Sequence, residues 1–431
     1  MSEADRTTVL PLSYSLHTAH WPKPGSREQA FAFFSREGWV THRMRPNLAA
    51  MQAETWESVS KYYGQVLKKG SDLKTSAACC SGSPHPVIAD IFKKIPSEVI
   101  EKFYGCGAPL PLGVNGLRFL DLGSGSGRDC YAAAALVGEC GTVTGLDMTA
   151  EQLAIARKHA TEFCTQTLGF KKANMQFVEG KIEHLAEAGI PAGEFDICMS
   201  NCVVNLSPDK PAVLREVFQA LAPGGEFYFS DVYSDMRLDD ETRKHRVLWG
   251  ECLAGALKIA DFEQFAKEAG FCHPRILSVA PIEIYDQELR LLVGKARFFS
   301  ITYRLFKLDV STAALQQQEV AISYTGSIQG MEDAYALDMD TILVAGEAVR
   351  VDAETAAIIE RSWLKSHFEV TTRGAKHFPA CAARRYGCSV VVRFSSGPGF
   401  CVSVLRISSR LLPCASLRIR HVLTMPCACA N

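Results

Sequence analysis

LRFLDLGSGSGRDCYAAAALVG, residues 117–138, decides the fold. Its first half is a short apolar run of strand length, and its second half an alanine-rich helical stretch. Between them, three glycines in five residues let the backbone turn sharply and approach a ligand. The same alternation continues outward. GTVTGLDM, from Gly141, reads as a second strand. TAEQLAIARKHATEF follows as an amphipathic helix, with Thr149 at the N-cap and Gln152 at the capping-box position. MQFVEG, FDICMSN and GEFYFSDVY read as further strands with helical patterns between them. Strands alternating with helices predict an α/β fold, a parallel sheet with helices on both faces. Ligands of such sheets bind at the carboxyl ends of the strands.

The loop carries Asp121, Gly123, Ser124, Gly125 and Gly127 in the spacing GxGxG. The dinucleotide fingerprint is GxGxxG, so pyrophosphate recognition is disfavoured. Asp147 closes the second strand, where a carboxylate can accept both hydroxyls of a ribose, and Met148 beside it can lie against an adenine face. A nucleoside ligand lacking a pyrophosphate is the expectation; an ordinary tight turn opening a helix is the bland alternative. The pattern resembles the class I S-adenosylmethionine-dependent methyltransferases. That resemblance implies a Rossmann-like sheet and S-adenosyl-L-methionine as cofactor. It places Glu183, preceded by Ile182, near the adenine. Asn201 and Tyr62 join the candidate cofactor residues, although aromatics at helical positions such as Tyr62 and Tyr63 are more often core.

The 431 residues balance 46 basic against 47 acidic side chains, which argues against a polyanion binder held by overall charge. No apolar run approaches the roughly 20 residues of a membrane span. From Val370 onward there are nine basic residues, no acidic ones and six cysteines, so the chain divides into an acidic body and a basic tail expected to be poorly ordered. The opening sequence lacks a secretory pattern, and acidic residues throughout residues 1–55 weigh against a transit peptide. A cytoplasmic protein is the expectation, with organellar targeting as the alternative and Met51 as a second candidate initiator.

Sixteen cysteines in a non-secreted chain favour metal, metalloid or redox thiol chemistry over structural disulfides. Cys79 and Cys80 are adjacent in a turn-rich segment, Cys106 is flanked by glycines in FYGCG, Cys202 follows the fourth strand, and Cys252 sits in LWGECLAG. Cys130, Cys140, Cys164 and Cys198 fall within helix and strand patterns and read as small buried hydrophobes, while Cys272 is ambiguous. Thiolates select soft, thiophilic centres, a logic that extends to trivalent arsenic. Three converging thiolates would hold a pyramidal ion with its lone pair outward, and a lone pair has no proton to lose, so no general base is needed. Asp231 reads equally as a site residue or a solvated strand end, and Trp249 as packing beside Cys252. Scattered histidines do not indicate zinc.

The stretches YYGQVLKKGSDLKTSAACC, FYGCG, LDLGSGSGRDCY, VTGLDMT, SNCVVNL, GEFYFSDVY, VLWGECLAGAL and RFFSITYRLFK together resemble the arsenite S-adenosylmethionine methyltransferases of eukaryotic type. The resemblance is dense from Tyr62 to Leu308 and thins toward residue 370. It implies methyl transfer to trivalent arsenic, supplied as arsenite or an arsenic–thiol conjugate. Cys106, Cys202 and Cys252 are implied as arsenic ligands. One of Cys79 and Cys80 is implied in a disulfide relay with Cys106, reset by thioredoxin or glutathione. The expected organisation is a loose extension (1–55), a cofactor domain (56–234), an arsenic-binding region (235–310), a small α+β domain (311–370) and the tail (371–431). A monomer is expected, with no nucleic-acid or membrane partner. The competing readings are a small-molecule C- or O-methyltransferase with structural cysteines, and a non-enzymatic metalloid buffer.

Overall fold

The computed structural model describes residues 41–66, 75, 84–308 and 320–371. Cys79, Cys80 and the tail from residue 372 lie outside the described residues. All the described residues belong to one compact unit, Met1–Lys376.

Eight strands form the main sheet: β1 Arg118–Leu122, β2 Thr142–Asp147, β3 Met175–Glu179, β4 Phe195–Asn201, β5 Leu221–Ser234, β6 Leu257–Lys258, β7 Arg275–Ile282 and β8 Phe298–Phe306. Their order is β3-β2-β1-β4-β5-β8-β7, with the short β6 beside β5. The run from β3 to β5 is parallel, and β8 is antiparallel to both neighbours. The chain reverses its winding between β1 and β4, which opens a crevice at their carboxyl ends. The predicted α/β architecture stands, and every strand predicted between residues 117 and 233 is present.

Strand side chains alternate between faces, and here both faces are covered. Phe119, Ile197 and Met199 enter one core with the helix Arg128–Val137, whereas Leu120, Leu122 and Cys198 enter another with the helix Lys210–Ala220. Double coverage explains why these strands read as continuous apolar runs. A third core lies beyond the strand ends and gathers Val59, Cys106, Cys202, Leu248 and Cys252. Residues 235–310 contribute β6, β7 and β8 to the same sheet, so the region expected to bind arsenic is continuous with the one expected to bind the cofactor.

The smaller domain has β9 Val320–Tyr324, β10 Ala334–Ala336, β11 Ile342–Val344, β12 Ala348–Val351 and β13 Phe368–Thr371. Its sheet runs β12-β9-β13, with β10 and β11 paired separately. β11 and β12 are separated at Gly346, whose φ of 75° lies outside the regular strand region. The domain is tied to the main sheet by Arg304 on β8. Its guanidinium donates to Glu226 on β5 at 2.6 and 3.0 Å and to the Leu337 carbonyl at 3.3 Å. Trp363 donates to the same Glu226 carboxylate at 2.8 Å.

Two local expectations are corrected. Residues 41–61 form a helix, so the extension expected to be loose through residue 55 is ordered over its last part. The reason is tertiary: Val59 is buried in the third core, and Trp56 bonds Glu183. The capping box at Thr149 does not form. Asp147 accepts from the Thr149 amide at 2.8 Å instead, and Gln152 donates to the Tyr63 carbonyl at 3.2 Å.

Candidate active site

The glycine loop leaves β1 with Gly123 at φ 72° and Gly125 at φ 52°, the left-handed region that glycine tolerates best. A β-carbon at Gly123 would strike Val203 at 2.4 Å, whereas one at Gly125 would meet nothing within 4 Å. The loop therefore packs at its first glycine and borders open space at its second. That space is a cleft of about 880 Å³ including its mouth, lined by the loop, Asp147, Met148, Ile182, Glu183, Asn201 and Cys202.

Asp147 accepts from the Gly125 amide at 2.9 Å as well as from Thr149. Burial pushes its carboxyl up, and those backbone amides oppose the shift. Glu183 accepts from Trp56 Nε1 at 3.1 Å and from Ser207 Oγ. Lys181 Nζ stands 3.8 Å over the Trp56 ring. Ser124 Oγ and Gln152 Oε1 are buried in the cleft lining without a protein partner. Two orphaned polar atoms, a strand-end carboxylate and an unfilled glycine cradle fit a nucleoside cofactor.

Two predicted cofactor residues lie elsewhere. Tyr62 turns away and donates to Glu251 at 3.2 Å, while Tyr63 lines the cleft. Successive helical side chains diverge by about 100°, so the helix aims one tyrosine at a time. Gly127 begins the helix Arg128–Val137 at φ 94°, packed close to Phe177 and Ala156, and is a packing position. Asp121 does line the cleft; burial, followed by repulsion from Asp129, lifts it to about 8.

The cleft ends at Cys202, where the chain assembles its sulfurs. The FYGCG loop is clasped by Asn201, which accepts from the Gly107 amide at 3.0 Å and donates to the Gly107 carbonyl at 2.7 Å. The clasp brings Cys106 beside Cys202, and the two form a disulfide with Cα atoms 5.8 Å apart. The resemblance implied Cys106 as partner of the first-loop cysteine; here its partner is Cys202, because glycines on both sides let this loop press against the end of β4. Cys252 remains a free, buried thiol whose Sγ contacts the Cys202 carbonyl at 3.1 Å. The ligand atoms of Cys202, Cys252 and Asp231 all lie within 4.8 Å of one another.

Among the described residues, the only non-glycine residues with positive φ are Cys202 at 60° and Cys252 at 61°. A side chain in that region carries strain of roughly 1–2 kcal/mol, and such strain concentrates at functional sites. No sequence signal announced it. Asp231, read from sequence as either solvated or functional, is 1% exposed. It accepts from the Asn205 and Val232 amides, and burial lifts it to about 7. Lys210 is also buried, and burial lowers its ammonium to about 8. Cys130, Cys164 and Cys198 are buried as expected, but Cys140 is exposed because it follows the helix that ends at Val137.

Comparison with known proteins follows the same lines. A methyltransferase domain family matches residues 114–270, and the arsenite methyltransferase C-terminal domain family matches residues 317–393, past the boundary expected at 370. The arsenite methyltransferase of Aquipseudomonas alcaligenes is 47% identical over 322 residues, covering 75% of this chain and 92% of that protein. The arsenite methyltransferase of Rattus norvegicus is 45% identical over 324 residues, covering 75% and 87%. The crystal structure of an arsenic(III) S-adenosylmethionine methyltransferase from Chlamydomonas reinhardtii matches with a TM-score of 0.65 at 48% identity, over 69% of this chain and 99% of that one. With its glycine cleft ending at clustered cysteines, the chain belongs to the arsenite methyltransferase family.

Proposed function

We propose that trivalent arsenic is held by the thiolates of Cys106, Cys202 and Cys252 beside the cofactor cleft, with Cys252 supplied by the region 235–310 and the other two by the cofactor domain. The reaction is methyl transfer from S-adenosylmethionine to trivalent arsenic. The observation that carries the ligand assignment is the meeting of Cys202, which lines that cleft, with Cys252, 50 residues away in sequence.

S-adenosylmethionine, when bound, supplies an electrophilic methyl group. Asp147, Met148, Ile182 and Glu183 line the cleft; Asp147 would hold ribose hydroxyls, and the other three would surround the adenine. Asn201 holds the FYGCG loop against β4, which sets the distance between Cys106 and Cys202. The buried surroundings exclude water, and fixed placement of two reactants can lower a barrier by roughly 7–11 kcal/mol. Because Cys106 and Cys202 are joined, two electrons from a thiol reductant must open the pair before three sulfurs are available. Thioredoxin or glutathione is the expected donor, one of Cys79 and Cys80 the relay thiol, and a cytoplasmic monomer the working form. No helix among the described residues is long and apolar enough to cross a membrane.

The test is methylation of arsenite with labelled cofactor, run with and without reductant. Activity should require reductant, and Cys202→Ser with Cys252→Ser should abolish it. Full methylation by that double variant would remove the ligand assignment.

A further inference from the structure

The helix Thr41–Lys61 carries Trp56 and Val59, and the helical turn that follows it carries Tyr63. All three line the cofactor cleft. They stand three and four residues apart, the spacing of one helical face, so this segment forms a wall of the cleft. Trp56 packs on the short segment that carries Glu183. Its Nε1 donates to Glu183 Oε1 at 3.1 Å, across 127 positions of sequence. Lys181 Nζ stands 3.8 Å over the indole, and His184 meets it edge-on with ring centroids 5.9 Å apart.

The hydrogen bonds of Glu183 are lopsided. An ionised carboxylate only accepts, and each of its two oxygens offers about two lone pairs. Trp56 Nε1 and Ser207 Oγ both donate to Oε1. No donor among the described residues reaches Oε2. Ser207 is itself held, accepting from the Asp209 amide at 3.0 Å. Two donors on one oxygen fix the carboxylate, because it cannot turn about its last bond without breaking both. Glu183 is 4% exposed and lines the cleft, so the unused oxygen is a buried acceptor that calls for a donor. The amino group of adenine is such a donor. A 6-oxo purine presents an acceptor at the same place and would leave Oε2 facing another oxygen.

We infer that Trp56 is a positioning residue for base recognition: by engaging Oε1 of Glu183 it commits Oε2 to the amino group of adenine. The inference rests on the reading of Glu183 as an adenine contact. Ser207 alone would leave the carboxylate a single tether and a choice of orientations.

Titration calorimetry on the full chain compares S-adenosylhomocysteine with S-inosylhomocysteine, which differs in carrying an oxygen in place of the amino group. The natural chain should prefer the adenine compound. Trp56→Phe keeps an aromatic wall but loses the N–H, and should cut that preference about tenfold, the scale of one hydrogen bond to a charged group. Glu183→Gln, whose amide can either donate or accept, should abolish it. The ratio of two dissociation constants on one preparation does not change with the folded fraction, so a general loss of stability would not imitate the effect. A Trp56→Phe chain that keeps the natural ratio, or binds both compounds equally more weakly, would overturn the inference while Glu183 stayed at the base. No preference in the natural chain, or one that survives Glu183→Gln, would remove the adenine reading of Glu183 itself, and the role of Trp56 with it.

Discussion

Cys202 and Cys252 hold their sulfurs in place with a backbone that cysteine disfavours. Both lie in the left-handed region, and both sit where the chain turns abruptly out of a regular element, Cys202 after β4 and Cys252 after the helix Arg246–Gly250. A turn of this kind swings the side chain back toward the strand ends. Position 252 should therefore reverse the usual order of small substitutions. At an ordinary ordered position alanine is more stable than glycine by roughly 0.5–1 kcal/mol, whereas at positive φ glycine should win by about 1 kcal/mol. Cys252→Gly should thus be more stable than Cys252→Ala, with neither methylating arsenite. Urea denaturation measures the difference, and a more stable alanine variant would mean that the turn carries no strain.

At the scale of elements, one buried ion pair joins the main sheet to the smaller domain beside the apolar core that the two share. Arg304 and Glu226 are 1% and 0% exposed at their side chains. Glu226 also accepts from Trp363, and Arg304 also donates to the Leu337 carbonyl, so β5, β8 and two parts of the smaller domain meet at these charges. A buried pair adds little over a well-packed apolar equivalent, but removing one partner strands the other charge. Glu226→Ala should cost about 3–5 kcal/mol and loosen the smaller domain. Denaturant melts followed by Trp363 emission would show it, and a loss below 1 kcal/mol would mean that Arg304 finds another partner. RFFSITYRLFK stands out in the sequence as a stretch that carries the family resemblance, yet nothing in its pattern pairs Arg304 with a glutamate 78 residues earlier.

For the molecule as a whole, burying carboxylates at the strand ends makes stability depend on pH. Asp121 is lifted to about 8 and Asp231 to about 7, in each case chiefly by burial. An unfolded aspartate titrates near 3.9. Between those limits the folded chain holds protons that the unfolded chain has released, so this contribution falls as pH rises from about 4 to about 8. Asp121→Asn should flatten the fall, because it removes the group that must ionise in a buried place. Chemical denaturation at several pH values tests this, and equal slopes for both proteins would refute it. Cys202 and Cys252 lie in the same buried layer, so keeping water from their sulfurs and raising these carboxyls share one cause.

The parallel sheet, the glycine loop, Asp147 and the separate cysteine stretches were all legible along the chain. Each depends on local spacing: strand length, helical period, and glycines where a turn must form. Folding alone decided which cysteines meet, that Tyr63 and not Tyr62 enters the cleft, that Trp56 reaches Glu183, and that Asp231 is buried. Those outcomes depend on contacts between residues tens to hundreds of positions apart, and such contacts leave no periodicity in the sequence.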